Sequence, residues 1–536
     1  SSGLCLIPAI DVLYVLVYAL GTVCTVSLFE FCTFMHLCLQ KEEITLTEGK
    51  DVFESWKDPP PPVYMQFFFF NVSNPDVFLK GGKPVVTQIG PYTYREYRPR
   101  ENVTFVDNGT KVSALNPKSF VFLPEMSAGD PETDRLTTVN IPAVAVMDVV
   151  KSSFLLSSMV SLWMASIGVE MFMTRTVNEI LWGFKDPLLS RLKPFKPEVE
   201  EYFGLMYKKN GSSEGEFVFH TGEEDYRDYG KIATWNGQST MQWWSSNQSN
   251  MINGTDGGAF HPLISKNESL FIFAADLCRS IHVDFEKDVE VKGIPAYRFS
   301  PPLEVLASPE DNPANAGFCV PPGDCLGTGV LKVSVCRKDF QGAPVVVSFP
   351  HFYQADQKYI SAIEGMRPNK EDHETFLDIN PTTGFPVRAC KRAQMNILLK
   401  KVSGFPQTKY LNDTIFPVMF VNETVVIDDA SAAKVRKLLL IVTVVSNIPL
   451  IIVGLGAIML LVLIILICRA RQKRNEVKRI DFSEAFPSFP TMAKEDTAYT
   501  QVRDKPEDGP ENDSNPTQQL KNGPYISMHP IDPENC

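Results

Sequence analysis

The stretch 438–468 reads LLLIVTVVSNIPLIIVGLGAIMLLVLIILIC and holds no charged residue. A helix rises about 1.5 Å per residue and the hydrocarbon core of a bilayer is roughly 30 Å thick, so this run can cross a membrane. Its most apolar part, Ile448 to Ile467, suffices alone. Ser446, Asn447 and Pro449 are expected near one interface, with Pro449 in a first turn where its missing N–H costs nothing. A buried core helix is the rival reading, but a run apolar on every side for this length fits lipid better. Arg469, Arg471, Lys473, Arg474, Lys478 and Arg479 follow the run against one acid, Glu476, whereas only Lys434, Arg436 and Lys437 precede it. The basic excess marks the cytosolic side. Residues 469–536 are therefore expected to be a cytosolic tail, and residues 41–437 a luminal or extracellular domain.

The other end of the chain carries a second apolar run. Val12 to Phe29 is uncharged, and Phe31 to Leu39 continues it after Glu30. A signal peptide has a shorter apolar region after a basic start, and no Lys or Arg precedes Lys41. Residues 1–40 are read as an uncleaved first span, with its core at about 12–35. Sequons support this topology. N-x-S/T occurs between the two apolar runs at Asn71, Asn102, Asn108, Asn210, Asn247, Asn253, Asn267, Asn412 and Asn422, and once more at Asn512, in the expected cytosolic tail where no transferase would meet it. That density reads as a glycosylated surface in the secretory pathway.

The full chain has 536 residues, a net charge of −12 and eleven cysteines. An acidic balance disfavours general nucleic-acid binding, which needs a basic footprint. Cys278, Cys319, Cys325, Cys336 and Cys390 fall in the long middle region. In an oxidising compartment they read as two disulfides and one spare thiol, with the pairing left open. A zinc site is the rival, but paired CxxC motifs are missing.

Much of the middle reads as β. Val63 to Val72 (VYMQFFFFNV) is an aromatic strand, Pro91 to Pro99 alternates, and Met206 to His220 resembles a hairpin turning at Asn210-Gly211. VLKVSVC, APVVVSF, QMNILLKKV and PVMFVNETVVI add short β-branched runs. Phe154 to Val169 (FLLSSMVSLWMASIGV) is too short to span. It is read as a helix of the ectodomain, either exposed at an interaction surface or packed in a core. TVNEILWGFKDPLLSRL reads as a helix broken at Gly183 and Pro187. The tail is polar and reads as disordered. Within it, Tyr499-Thr-Gln-Val502 and Tyr525-Ile-Ser-Met528 have the tyrosine-x-x-hydrophobic form that clathrin adaptors bind.

No catalytic pattern stands up. Gly211-Ser-Ser-Glu-Gly215 matches GxSxG but lies in a polar turn, without the strand and helix that a nucleophile elbow needs. His373-Glu374 is not followed by the second His of HExxH. His220, His261, His282, His351 and His373 show no metal-ligand spacing, and serve as ordinary polar residues or at most as protonation sensors. No catalytic residue, metal or cofactor is expected.

Several phrases are specific when taken together: FFFFNVSNPDVFLKGGKP, QIGPYTYRE, ILWGFKDPLL, NMINGTDGGAFHP, LCRSIHV, NAGFCVPPGDCLGTGVLKVSVC, SFPHFYQADQKYISAIEGMRPNKEDHETFLDINPTTG and FPVMFVNET. With them the chain resembles the class B scavenger receptor family from about Glu43 to Cys468, and its lysosomal branch most. The resemblance implies an α+β fold: a large antiparallel, barrel-like β ectodomain with a helical apex, anchored by two transmembrane helices. It implies an apolar tunnel for sterol or phospholipid, which would shield acyl methylenes at about 0.8 kcal/mol each. It implies disulfides Cys278–Cys336 and Cys319–Cys325, with Cys390 unpaired. It places ligand contacts on the apex, here Phe154, Leu155, Met159, Leu162, Trp163 and Met164, where the lysosomal branch docks acid β-glucocerebrosidase.

Three departures stand out. Ser249 occupies a position where a cysteine is expected, the apex carries no His or lysine cluster, and the tail lacks an acidic dileucine ending. The expected function is a non-enzymatic receptor of endosomes and lysosomes that binds luminal cargo and conducts lipid. A cell-surface receptor for lipoprotein and lipid uptake is the alternative. The expected partners are membrane lipids and sterol, a cargo protein or lipoprotein, and clathrin adaptors through Tyr499, Val502, Tyr525 and Met528.

Overall fold

The computed structural model describes residues 45–483, apart from Lys338, Asp339 and Gln341. The expected first span, the tail and the four sorting residues lie outside the described residues. The described chain divides into one unit ending at Val444 and a helical segment beginning at Val445.

The first unit is built on an antiparallel sheet of eleven strands. Its main path runs Leu270–Ala274, Arg279–Val291, Ile294–Ser300, Phe376–Ile379, Pro386–Leu399, Thr414–Val426, Val63–Val72, Val86–Tyr97 and Ser119–Phe122. Val345–Ser348 pairs on the Pro386–Leu399 strand and carries Val330–Lys332. A four-stranded sheet, two short ribbons and several helices complete the unit. The fold is thus mixed α and β around one large antiparallel sheet.

Val63–Val72 forms as the sequence predicts, because four consecutive phenylalanines suit a pleated strand. Side chains alternate along a strand, yet Phe67, Phe68, Phe69 and Phe70 are all buried, so both faces are covered here. On one face Phe67 meets Tyr94 and Phe69 meets Tyr92, edge to ring. On the other, Phe68 stacks on Phe420 at 4.5 Å. Each such side chain contributes about 1.5–3 kcal/mol by burial. The expected hairpin at Asn210-Gly211 does not form. Only Glu216–His220 is a strand, and the residues before it make turns, where Lys208 and Gly211 have positive φ. The segment after the Phe154 helix breaks where expected, into the helices Val177–Trp182 and Pro187–Leu192.

Buried charge holds the strands in register. The carboxylate of Asp378, fully buried, accepts from Arg298 Nε at 2.7 Å and Nη2 at 2.8 Å, and from Arg388 Nε at 2.7 Å. The Arg298 guanidinium also lies 3.6 Å from the Phe376 ring centroid. Three strands are tied at one point.

On the same face as Phe68, two histidines stack at 4.5 Å. His351 Nδ1 accepts from Arg367 N–H at 3.1 Å, and its Nε2 lies 2.7 Å from Gln88 Oε1. His373 Nδ1 accepts from Asn369 N–H at 2.9 Å. Burial, then for His351 the neighbouring His373, pushes both down to about 4. The pair is built to stay neutral.

The C-terminal helix runs Asp429–Ser483, with its most membrane-compatible part at Leu450–Lys473. It therefore contains the expected span 438–468, and it is the one such helix among the described residues. Pro449 is not in a first turn, which corrects the sequence reading. The helix begins at Asp429, where Lys292 Nζ lies 2.7 Å from the Asp429 carboxylate and Arg436 Nη1 donates to the Lys292 carbonyl at 2.6 Å.

Asp378→Ala leaves two half-buried guanidinium groups unpaired and should destabilise the protein by about 3 kcal/mol, read in a denaturant melt. An unchanged midpoint would show that the clamp does not matter. The histidine pair gives a second expectation. The unfolded state binds more protons between the folded value of about 4 and the unfolded value of about 6.5, so stability rises with pH across that window. At about pH 5 each histidine costs on the order of 2 kcal/mol. His373→Asn keeps an acceptor for Asn369, and its melting temperature should fall less between about pH 7.5 and pH 5 than that of the wild type. An equal fall would exclude His373 as a source of the pH dependence.

Candidate docking surface and charged cluster

Two helices pack as neighbours. Ile141–Val150 starts at Asn140, whose Oδ1 accepts from Ala143 N–H. Phe154–Ser166 starts at Ser153, whose Oγ accepts from Leu156 N–H. These are ordinary N-caps that satisfy free amides of the first turn. The second helix is seated through Ser157 and Met164, both fully buried and seven residues apart on one face. Ser157 Oγ donates to the Val150 carbonyl at 2.8 Å. Gly404, at φ +93°, brings its loop against this face: a Cβ there would stand 2.7 Å from Ser157 Cβ and 2.8 Å from Ser158 N.

The opposite face is bare. Phe154 is 69% exposed, Leu155 71%, Met159 60% and Leu162 74%. Leu156 and Val149 join them, and were missed in the sequence. Trp163 is partly buried against the core. Met164 is wholly buried and does not belong to the surface, which corrects that assignment. The reason is helical phase: Met164 repeats Ser157, and Ser157 hydrogen-bonds inward. One face of this helix is thus packed and the other exposed. A contiguous exposed apolar patch of this kind marks an interaction surface.

A second feature lies on the Phe67 face of the large sheet. Met65 pairs in register with Tyr94 on one side and Glu423 on the other, and Glu423 pairs with Lys391. Here the side chains are charged and linked. Arg98 lies 2.7 Å from Glu423 and 3.5 Å from Glu96; Lys391 lies 3.7 Å from Glu423 and 3.5 Å from Asp276; Arg337 lies 3.6 Å from Asp276. Lys118 and Glu214 pair beside them at 2.7 Å. Burial alone would raise Glu423, but Arg98 and Lys391 overcome it and hold it at about 2. Burial, opposed mainly by Arg98, keeps Glu96 above the usual carboxylate range. Asp276 and Lys391 sit deep in the protein yet keep 44% and 45% of their side-chain surface open. Solvent therefore reaches this charged cluster. These residues were missed because charges alternating along a strand read as a solvated outer face.

The remaining site residues distribute as follows. Cys278 bonds to Cys336 and Cys319 to Cys325. Cys390 is fully buried and is itself disulfide-bonded, which corrects the expectation of a spare thiol. Ser249 is buried, with its Oγ 2.9 Å from Ser246 Oγ. Asn102, Asn108, Asn210, Asn247, Asn267 and Asn412 are exposed, and Asn71 and Asn253 are half-buried. Asn422 is buried: its Nδ2 donates to Gln66 Oε1 and its Oδ1 accepts from Arg392 Nε. The folded protein has no room for a glycan there, so Asn422 is withdrawn as an acceptor. His282 Nε2 lies 3.3 Å from Glu304 and 4.0 Å from Asp284, a partly exposed cluster that no sequence spacing announced.

Comparison with known proteins bears on all of this. The CD36 family model matches residues 12–467. The chain is 46% identical to lysosome membrane protein 2 of Homo sapiens over 436 residues, covering 81% of this chain and 90% of that protein. The Rattus norvegicus protein of the same name matches equally, at 46% over the same shares. Scavenger receptor class B member 1 of Cricetulus griseus is 36% identical over 427 residues, covering 78% of this chain and 82% of that protein. The chain belongs to the CD36 family, the class B scavenger receptors.

Proposed function

We propose that this protein is a two-span receptor of endosomal and lysosomal membranes that docks luminal cargo on the Phe154–Ser166 helix and conducts lipid through its ectodomain. The observation that carries the reading is the bare apolar face of that helix, with Phe154, Leu155, Met159 and Leu162 each at least 60% exposed. Covering each of these side chains gains on the order of 1–2 kcal/mol, enough in sum for a docking site. The similarity to lysosome membrane protein 2 supports the location. The helix Asp429–Ser483 supplies one anchor, and residues 1–40 the other. Residues 41–437 form the luminal domain, barrel-like with the two helices at its apex, and residues 469–536 the cytosolic tail. Tyr499, Val502, Tyr525 and Met528 would present the tail to clathrin adaptors.

A lipid path beside the charged cluster would not be wholly apolar. Asp276, Lys391 and Glu423 face it, so a lipid with a polar headgroup suits it better than a bare hydrocarbon. The protein acts as a receptor and not by turnover.

One observation favours the second reading, a cell-surface receptor for lipoproteins. The docking helix carries no charged residue from Phe154 to Ser166. An uncharged face meets a lipid particle without desolvating any ion, whereas a protein partner usually adds charged rim contacts. The experiment is cargo binding by the purified full-length protein in detergent at about pH 7.5 and pH 5. Acid β-glucocerebrosidase and lipoprotein particles are offered side by side. The lysosomal reading expects glucocerebrosidase to bind at neutral pH and to leave in acid. Lipoprotein binding without glucocerebrosidase binding would replace it with the surface reading. Binding of neither would defeat both.

A further inference from the structure

Arg279 opens the strand Arg279–Val291 and is only 6% exposed. A buried guanidinium is ordinarily matched by a carboxylate, as Arg298 and Arg388 are by Asp378. Arg279 has none among the described residues. Its Nε donates weakly to the Ser280 carbonyl at 3.4 Å, and its plane lies 3.7 Å from the Phe318 ring centroid. Nothing offsets its burial, which pulls it down to about 9.

The side chain lines a small cleft of about 40 Å³, open at one side. Val305, Leu306, Leu326, Val330 and Leu331 give apolar walls. Two other charged residues line it, Lys332 and Asp324, and they are matched to each other at 2.7 Å. The cleft therefore holds one uncompensated positive charge. Its frame is rigid. Cys278, next to Arg279, bonds to Cys336, and Cys319, next to Phe318, bonds to Cys325. Phe318 is braced edge-on by Trp244 at 5.1 Å, and Trp244 Nε1 donates to the Cys278 carbonyl at 2.6 Å.

We propose that this cleft is a binding site for an oxyanion, a carboxylate or phosphate group, anchored by Arg279. A guanidinium held flat on an aromatic ring presents its outer N–H groups as a fork, the geometry that carboxylate and phosphate oxygens match. A cleft of this size admits the oxyanion group itself, and the hydrocarbon of a fatty acid or the remainder of a phospholipid would stay at its open side. The site is separate from the docking helix, and its test does not depend on which cargo that helix takes.

The test uses the full-length protein in neutral detergent. Phenylglyoxal attacks unprotonated guanidinium groups, and the modified arginines are located by peptide mass mapping. In chloride buffer Arg279 should react, because it lines a cleft that is open at one side. Inorganic phosphate, octanoate or vesicles of dioleoylphosphatidate should slow that reaction at least about tenfold, the loss expected for a charge-assisted pair. Vesicles of phosphatidylcholine alone serve as the control. Protection by phosphate but not by phosphatidate vesicles would assign a soluble anion; protection by phosphatidate vesicles would assign a lipid headgroup; both support the site. A direct binding titration adds the variants: Arg279→Lys should keep part of the affinity for octanoate and Arg279→Gln should lose at least about tenfold, at matched melting temperatures. An Arg279 that never reacts, or reacts at one rate whatever anion is present, overturns the proposal.

Discussion

The fold depends on a strand that is wet on neither face. Phe67 to Phe70 are buried without a break, so Val63–Val72 needs cover on both sides and a hydrogen-bonded neighbour along each edge. Thr414–Val426 and Val86–Tyr97 supply the edges. Tyr92 and Tyr94 cover one face, and Phe420 with the histidine pair covers the other. Because side chains alternate, a slip of one residue would exchange the two faces. It would carry the aromatic face onto the polar side, where Asn422, Arg392, Gln394 and Asn396 bond to each other and to the backbone. Register and burial thus enforce one another.

The same alternation creates two interiors with different chemistry. The face with Phe68 is dry, and its polar groups are satisfied by fixed partners. The face with Met65 and Glu423 carries the charged cluster that continues to Asp276 and Lys391.

Much of this was legible in the sequence. The span at 438–468 is composition alone, and the Phe run at 67–70 reads as a strand by propensity. The pairing of four cysteines came with the resemblance rather than with spacing. Other features needed three dimensions. Met164 and Leu162 look alike in a run of apolar letters, and only the seating through Ser157 decides which is buried. Asn422 satisfies the sequon rule, yet its partners Gln66 and Arg392 lie on other strands. Glu96, Lys391 and Asp276 are far apart in sequence, and their convergence is a matter of register. Arg279 stands in a phrase, LCRSIHV, that helped reveal the family, but nothing in the letters says that it lacks a carboxylate.

The central claim is that the bare face of the Phe154–Ser166 helix carries docking. The most direct measurement is cargo binding by the double variant Leu155→Asp, Leu162→Asp against the wild type. Both positions exceed 70% exposure, so the substitutions should leave the melting temperature nearly unchanged. The account predicts that affinity for whichever cargo the wild type binds falls by at least about tenfold, as removal of two apolar anchors should cause. Unchanged binding at unchanged stability would contradict it and move the docking surface elsewhere.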